Sequence, residues 1–116
     1  MSLFKKLFGG KSSEKSVKKG MCTLEIEDII RETADTVKVV FDIPEEEKEN
    51  FQFIPGQYVT LILTINGKEA RRSYSICSGI NEPLAVAVKK VENGVVSTWL
   101  NEVAKIGNEI SVSYPT

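Results

Sequence analysis

The sequence predicts an all-β domain, a six-stranded antiparallel Greek-key β-barrel with one short helix before the last strand. Three observations carry this expectation. Six β-rich runs lie between residues 22 and 114, most of them alternating apolar with polar side chains. Asn66–Gly67 separates two of these runs, and that dipeptide is the strongest two-residue hairpin signal a sequence offers. Only Ser97–Lys105 has convincing helical spacing, and it falls just ahead of the last run. Short strands with a single inserted helix pack as a small Greek-key barrel.

The first strand begins at Cys22, where Leu24 and Ile26 alternate with Thr23, Glu25 and Glu27. After a turn near Thr33–Asp35, the second repeats the alternation through Val37, Val39, Phe41 and Ile43. Pro44 stops it, and the glutamate-rich stretch to Asn50 reads as a short solvated helix or turn. Pro55–Gly56 marks a turn before a long strand at Tyr58–Ile65, and Lys68–Ile76 returns antiparallel to it across Asn66–Gly67. Leu84–Val91 is the fifth strand, with Val86 and Val88 on one face, and Glu92–Asn93–Gly94 breaks it. In the helix, Ser97 is placed to cap the N-terminus, Trp99, Leu100 and Val103 share a side, and Gly107 supplies the stop. Asn108–Tyr114 closes the domain as the sixth strand.

Charge divides the chain into two parts. Residues 1–20 carry six lysines against one glutamate, whereas the remainder holds 9 basic and 15 acidic residues. The basic segment reads as a disordered tail, and residues 21–116 as the folded domain. Leu3, Phe4, Leu7 and Phe8 around Lys5 and Lys6 also allow a short amphipathic element for a partner or an anionic membrane, though eight residues offer little apolar area. No stretch has the length to span a membrane. An acidic body argues against nucleic acid as a partner. Histidine is absent, so Ser-His and Cys-His nucleophilic catalysis are excluded. Cys22 and Cys77 stand in unrelated contexts without a Cys-x-x-Cys pair, which excludes a zinc or iron–sulfur site built from this chain and reads as two reduced thiols in a cytoplasmic protein.

Two segments carry binding chemistry. In Arg71–Ser78, strand alternation sets Arg72 and Tyr74 on one side and Ser73 and Ser75 on the other. A guanidinium can fork onto phosphate, an aromatic two residues on can stack on a planar ring, and a neighbouring serine can hydrogen-bond a ring nitrogen. By itself this alternation is equally that of an ordinary exposed strand. In Val86–Ser97, a strand, a glycine turn and a helix start present free backbone N–H groups at a positive dipole end, which together form a phosphate cradle. By itself that too is an ordinary strand–turn–helix. A single glycine makes neither a dinucleotide fingerprint nor a P-loop. The pair means more than either part, because both supply phosphate ligands from adjoining strands.

At this point the sequence resembles the FAD-binding domain of the ferredoxin–NADP reductase superfamily. Arg72-Ser73-Tyr74-Ser75 matches its Arg-x-Tyr-Ser signature, and Gly94-Val95-Val96-Ser97 matches its Gly-x-x-Ser pyrophosphate motif. Pro55-Gly56-Gln57-Tyr58 and Ser113-Tyr114-Pro115 resemble two further family blocks, in the family's order. The resemblance implies FAD rather than FMN as cofactor. Arg72 would contact the pyrophosphate, Tyr74 would lie against the isoalloxazine, and Ser75 would hydrogen-bond near the flavin N5; Ser73 belongs to the same signature. Backbone groups of Val88 and Lys89 would line the ring's other side, and Gly94, Val95, Val96 and Ser97 would hold the pyrophosphate. No side chain would act as acid or base. The family relays electrons from NAD(P)H to an iron–sulfur acceptor. The partners implied are a nicotinamide-binding domain, a ferredoxin-type domain and, in some members, an oxygenase complex. No nicotinamide-binding sequence follows in this chain, which therefore reads as one domain of a longer protein, not competent for full turnover alone. The alternative function is a barrel that has lost flavin and serves as an interaction or regulatory module.

Overall fold

A computed structural model describes residues 20–116. The tail expected at 1–20, including its amphipathic reading, lies outside the described residues except for Gly20. Six strands form one antiparallel sheet: β1 (Met21–Thr33), β2 (Thr36–Asp42), β3 (Tyr58–Ile65), β4 (Lys68–Ser75), β5 (Ala85–Lys89) and β6 (Glu109–Ser113). Helix α1 (Val95–Glu102) precedes β6, and a single 3-10 turn occupies Glu45–Glu47 in the acidic stretch after Pro44.

The strand order β4-β3-β6-β1-β2-β5 is a Greek key, because β6 returns to insert between β3 and β1. The sheet curls into a half-barrel whose two end strands, β4 and β5, approach each other. They meet through one isolated bridge, Ile76 with Val86, and the Cys77 amide donating to the Ala85 carbonyl at 2.9 Å. Residues that are distant in the sheet order thus become neighbours across a seam. Alternation fills the interior: Leu24, Ile26, Val39, Phe41, Leu61, Val86 and Val112 are all essentially inaccessible.

The hairpin expected at Asn66–Gly67 is present. Both residues have positive φ, 54° and 79°, which a type I′ turn requires, and Ile65 pairs with Lys68 across it. β1 runs further than its alternation suggests. Its register slips between Ile26 and Asp28, and beyond that bulge the strand loses its buried face while staying paired with β2. β5 is shorter than the expected Leu84–Val91, but Val86 and Val88 are both buried as expected.

The helix differs in three respects. It starts at Val95 with Gly94 as N-cap, so Ser97 lies within the first turn and is not the cap. The Ser97 hydroxyl accepts from the Val91 amide at 3.1 Å and donates to the Gly94 carbonyl at 3.3 Å, bonds that fasten the preceding turn instead of the helix's own amides. Its buried face is Val96, Ser97, Leu100 and Asn101, while Val103 is 53% exposed. The helix ends at Glu102, ahead of Gly107, whose positive φ of 95° serves the later turn where its amide bonds the Ile26 carbonyl. Cys22 is buried and Cys77 is exposed, and the two are not joined in a disulfide.

Candidate functional site

The start of α1 is a set of backbone donors with no side-chain cap among the described residues. The first helical backbone bond is donated by Thr98 to the Gly94 carbonyl at 2.9 Å. The amides of Val95, Val96 and Ser97 precede it, no side chain caps them, and the first turn contains no acid. Close packing holds this turn. A Cβ on Gly94 would lie 2.4 Å from Val91 Cγ2 and 2.5 Å from Ser97 Oγ, so any larger residue must displace the side chains that pack this bend.

β4 brings Arg72 to a cleft that Val95, the first residue of α1, also lines. Arg72, Arg71, Lys68 and Val95 line one cleft of about 620 Å³, together with Ile65, Asn66, Glu69 and Ala70. Glu69, the acid in that lining, is engaged by Arg71 at 3.0 Å. Arg72 is exposed, and its Nη1 donates to the Arg71 carbonyl at 2.6 Å, leaving the rest of the guanidinium fork available. Two residues along the same face, Tyr74 packs against the core. Its burial raises the phenol pKa, a shift the nearby Arg72 charge partly offsets, so the ring is neutral at neutral pH.

The other residues singled out in the sequence occupy different surroundings. Ser73 lies on the opposite face of β4, its hydroxyl 2.8 Å from that of Thr60. Ser75 is exposed at the end of the strand, opposite Tyr58 in the register. Tyr58 in turn exchanges backbone bonds with Thr116 at 3.2 and 3.0 Å. Lys89 is exposed, whereas Val88 is fully buried and its carbonyl accepts from Asn101 Nδ2 at 3.0 Å.

Asn101 is the residue that sequence reasoning missed, along with Arg31. Asn101 also donates to the Ser97 carbonyl at 2.9 Å, and it accepts from Arg31 Nη1 at 2.9 Å. An asparagine breaking the apolar stripe of Val96 and Leu100 is a readable signal in sequence, since a polar group on a buried face needs partners. Arg31 gives no such signal, because its strand has lost its alternation past the bulge.

A larger cavity of about 890 Å³ opens at the end of the barrel that carries the 43–57 and 80–84 connections. It is lined by Phe41, Ile43, Phe51, Phe53 and Ile54 among others, with Glu27, Asp42 and Glu82 against one cation, Lys48. Three carboxylates facing one ammonium repel a diphosphate, so size alone does not decide the site. The cationic cleft with its uncapped helix start has the donor chemistry that a dinucleotide-like cofactor needs. Among the described residues, no group of three or more His, Cys, Asp or Glu side chains could hold a metal ion.

Residues 23–116 match the family model for the oxidoreductase FAD-binding domain. The chain belongs to that family. Its cofactor is FAD, and the uncapped amides and free guanidinium fork suit the two phosphates of that molecule. The domain is similar to a component of the 1,2-phenylacetyl-CoA epoxidase of Escherichia coli (strain K12), with 36% identity over 94 residues, covering 80% of this chain and 26% of that protein. The string Arg71–Gly79 resembles the reductase component of phenylacetyl-CoA epoxygenase, in agreement with that relative. It is also similar to the glycine betaine monooxygenase reductase of Chromohalobacter salexigens, 38% identical over 89 residues, 75% of this chain and 24% of the relative. The chain thus spans about a quarter of the length of these curated relatives. Among solved structures, the ferredoxin NADP+ reductase of Neisseria gonorrhoeae with bound FAD and NADP superposes with a TM-score of 0.72 at 18% identity, over 85% of this chain and 39% of the other. That likeness is one of fold.

Proposed function

We propose that residues 21–116 hold FAD across the β4–β5 seam as the flavin domain of an NAD(P)H-dependent reductase passing electrons to an iron–sulfur acceptor. One observation carries the reading: Arg72 and Val95, distant in sequence and on different elements, line a single cationic cleft. In this reading Arg72 and the Val95, Val96 and Ser97 amides grip the diphosphate, and Gly94 lets the backbone make the bend. Tyr74 lies against the isoalloxazine as a neutral aromatic, a state its half-buried phenol favours. Ser75, exposed at the strand end, hydrogen-bonds near N5. Ser73 holds β4 to β3 through Thr60 and contributes by its backbone. Val88 and Lys89 line the remaining side, Val88 as buried support and Lys89 from the surface.

FAD held there would supply hydride acceptance and single-electron release, while the protein supplies orientation and electrostatics. Nicotinamide binding and the iron–sulfur group belong to partner domains, supported by the reductase naming of one relative and by the fold shared with a ferredoxin NADP+ reductase. An oxygenase is the further partner, supported by the epoxidase and monooxygenase names of the two relatives. A cytoplasmic location fits Cys22 and Cys77 not being joined in a disulfide, and no helix among the described residues is long and apolar enough to cross a membrane.

Titrating the flavin-free protein with FAD tests this. Binding should perturb the flavin spectrum, and Arg72→Ala should weaken it by about 1.5–3 kcal/mol through loss of a charge-assisted phosphate contact. A protein that takes up neither FAD nor FMN would instead support a flavin-free interaction module, and unchanged affinity in Arg72→Ala would remove that residue from the site.

A further inference from the structure

Helix α1 is fastened at both ends, and the fastening at its far end comes from a residue with no contact to the cleft. Arg31, on the part of β1 past the bulge, donates Nη1 to Asn101 Oδ1 at 2.9 Å and Nη2 to the Asn101 carbonyl at 2.5 Å. The second bond satisfies one of the last four helical carbonyls, which have no partner within the helix. It also sets a positive charge at the negative end of the helix dipole. Asn101 passes the constraint on. With its side-chain oxygen held by Arg31, its amide nitrogen is directed to the Val88 carbonyl on β5 at 3.0 Å and to the Ser97 carbonyl at 2.9 Å. Ser97 then closes the Val91–Gly94 turn through its hydroxyl. An unbroken chain of bonds therefore runs from β1, through the helix, to the Val91–Gly94 turn just ahead of Val95, the helix residue that lines the cleft. Asn101 is buried, and no buried side-chain nitrogen or oxygen among the described residues lacks a partner, so the network is complete as it stands.

We propose that Arg31 and Asn101 are positioning residues for the cofactor's diphosphate: they fix the axis and rotation of α1 so that the Val95, Val96 and Ser97 amides converge with Arg72. Neither touches the cofactor. The inference rests on the diphosphate lying at the start of α1, as proposed above. Helix propensity alone does not give this orientation, because eight residues form too short a helix to be stable on their own. Packing of Val96 and Leu100 sets which face is buried, but apolar contacts are non-directional and leave rotation and tilt loosely defined. The Arg31 fork and the Asn101 amide supply directional bonds at a known height on the helix.

The test compares FAD affinity with backbone amide NMR shifts in wild type, Arg31→Met and Arg31→Lys. Methionine keeps most of the aliphatic stem and removes the donors. Arg31 is exposed, so the released Asn101 groups gain access to water and the barrel is expected to stay folded. The expected result for Arg31→Met is FAD binding weakened roughly three- to tenfold, the equivalent of one or two lost hydrogen bonds. Its amide shift changes should be confined to α1, the Val91–Gly94 turn and the neighbourhood of Arg31, leaving Arg72–Ser75 of β4 unmoved. Arg31→Lys, which restores the charge and one donor, should recover part of the affinity. Unchanged FAD binding in Arg31→Met overturns the inference, and so does a loss of binding whose shift changes spread through β4, because that is general loosening and not positioning. Wild-type protein that binds no FAD overturns the functional reading itself, a result distinguishable from both.

Discussion

Replacing Gly94 by alanine separates space from backbone strain as the reason for that glycine. Its φ of −85° and ψ of 105° are open to any L-residue, so no conformational penalty applies. The obstacle is contact: the added carbon would meet Val91 Cγ2 at 2.4 Å, Ser97 Oγ at 2.5 Å and the Val91 carbonyl at 3.1 Å. Val91 is more than half exposed and its side chain can rotate away. Ser97 is buried, and moving its hydroxyl breaks the bonds to the Val91 amide and the Gly94 carbonyl. Overpacking of about 1–3 kcal/mol with a lost hydrogen bond of about 0.5–1.5 kcal/mol gives a destabilisation of about 1.5–4.5 kcal/mol. At about 4 °C per kcal/mol for a domain near 100 residues, Tm should fall by roughly 6–18 °C. Thermal unfolding followed by circular dichroism measures this, with Ser97→Ala as the companion variant that removes the hydroxyl without adding bulk. That companion should lose only about 1 kcal/mol. FAD affinity measured on folded Gly94→Ala should also fall, since the displaced turn carries the amides of Val95 and Val96. A Gly94→Ala protein that melts with wild type would refute the steric account of this turn.

Gly67 presents the opposite case. A Cβ there meets nothing within 4 Å, but φ is +79°, so Gly67→Ala should lower stability by about 1–2 kcal/mol from backbone strain, without changing FAD affinity; a neutral substitution in a denaturant titration would count against the type I′ turn. Tyr74 and Tyr114 both have phenols raised above their ordinary range, chiefly by burial, with the Glu47 carboxylate adding to the shift at Tyr114. A folded-state value above the unfolded one means the unfolded chain loses its proton first. The stabilisation is therefore fully present below about pH 10 and is lost as pH rises through the folded values. Stability measured against pH should decline on the alkaline side, and Tyr114→Phe, which ends the 3.2 Å bond to Glu47 Oε1, should flatten that decline; an unaltered alkaline slope would exclude Tyr114 as a source.

What can be read in the sequence is whatever local chemistry enforces. The Asn66–Gly67 turn fixes its hairpin because two consecutive positive φ values suit few other residue pairs. The strands of Val37–Phe41 and Tyr58–Ile65 are legible because one face is buried along their length. Arg72 and the Gly94–Ser97 turn are readable in sequence as candidate phosphate donors, and the structure brings Arg72 and Val95 to one cleft. Sequence places the helix start two residues late because serine is a favoured cap, and nothing local shows that its hydroxyl is drawn back to the Val91 amide. Arg31 is invisible for a related reason. Its bonding partner lies 70 residues away in sequence, and it sits on the part of β1 past the register slip, where alternation no longer marks a buried face.

The location of the cleft follows from the topology. In a curled sheet of this order the outer edges, among the described residues, are those of β4 and β5, and a single bridge with one further backbone bond joins them. An open edge in an otherwise paired sheet must be covered, paired or solvated. Here α1 does part of this, with Asn101 bonding the Val88 carbonyl and Leu100 buried against the core. The remainder of the seam is where backbone and side-chain donors can face a ligand without being taken from the barrel's own ladder. A cofactor seated there adds contacts between two strands that otherwise share few. Its binding should therefore stiffen the seam that its own site depends on. The Arg31 bonds to Asn101 lie outside that seam, on a stretch of β1 paired with β2, and they join β1 to the helix with no part taken by the cleft.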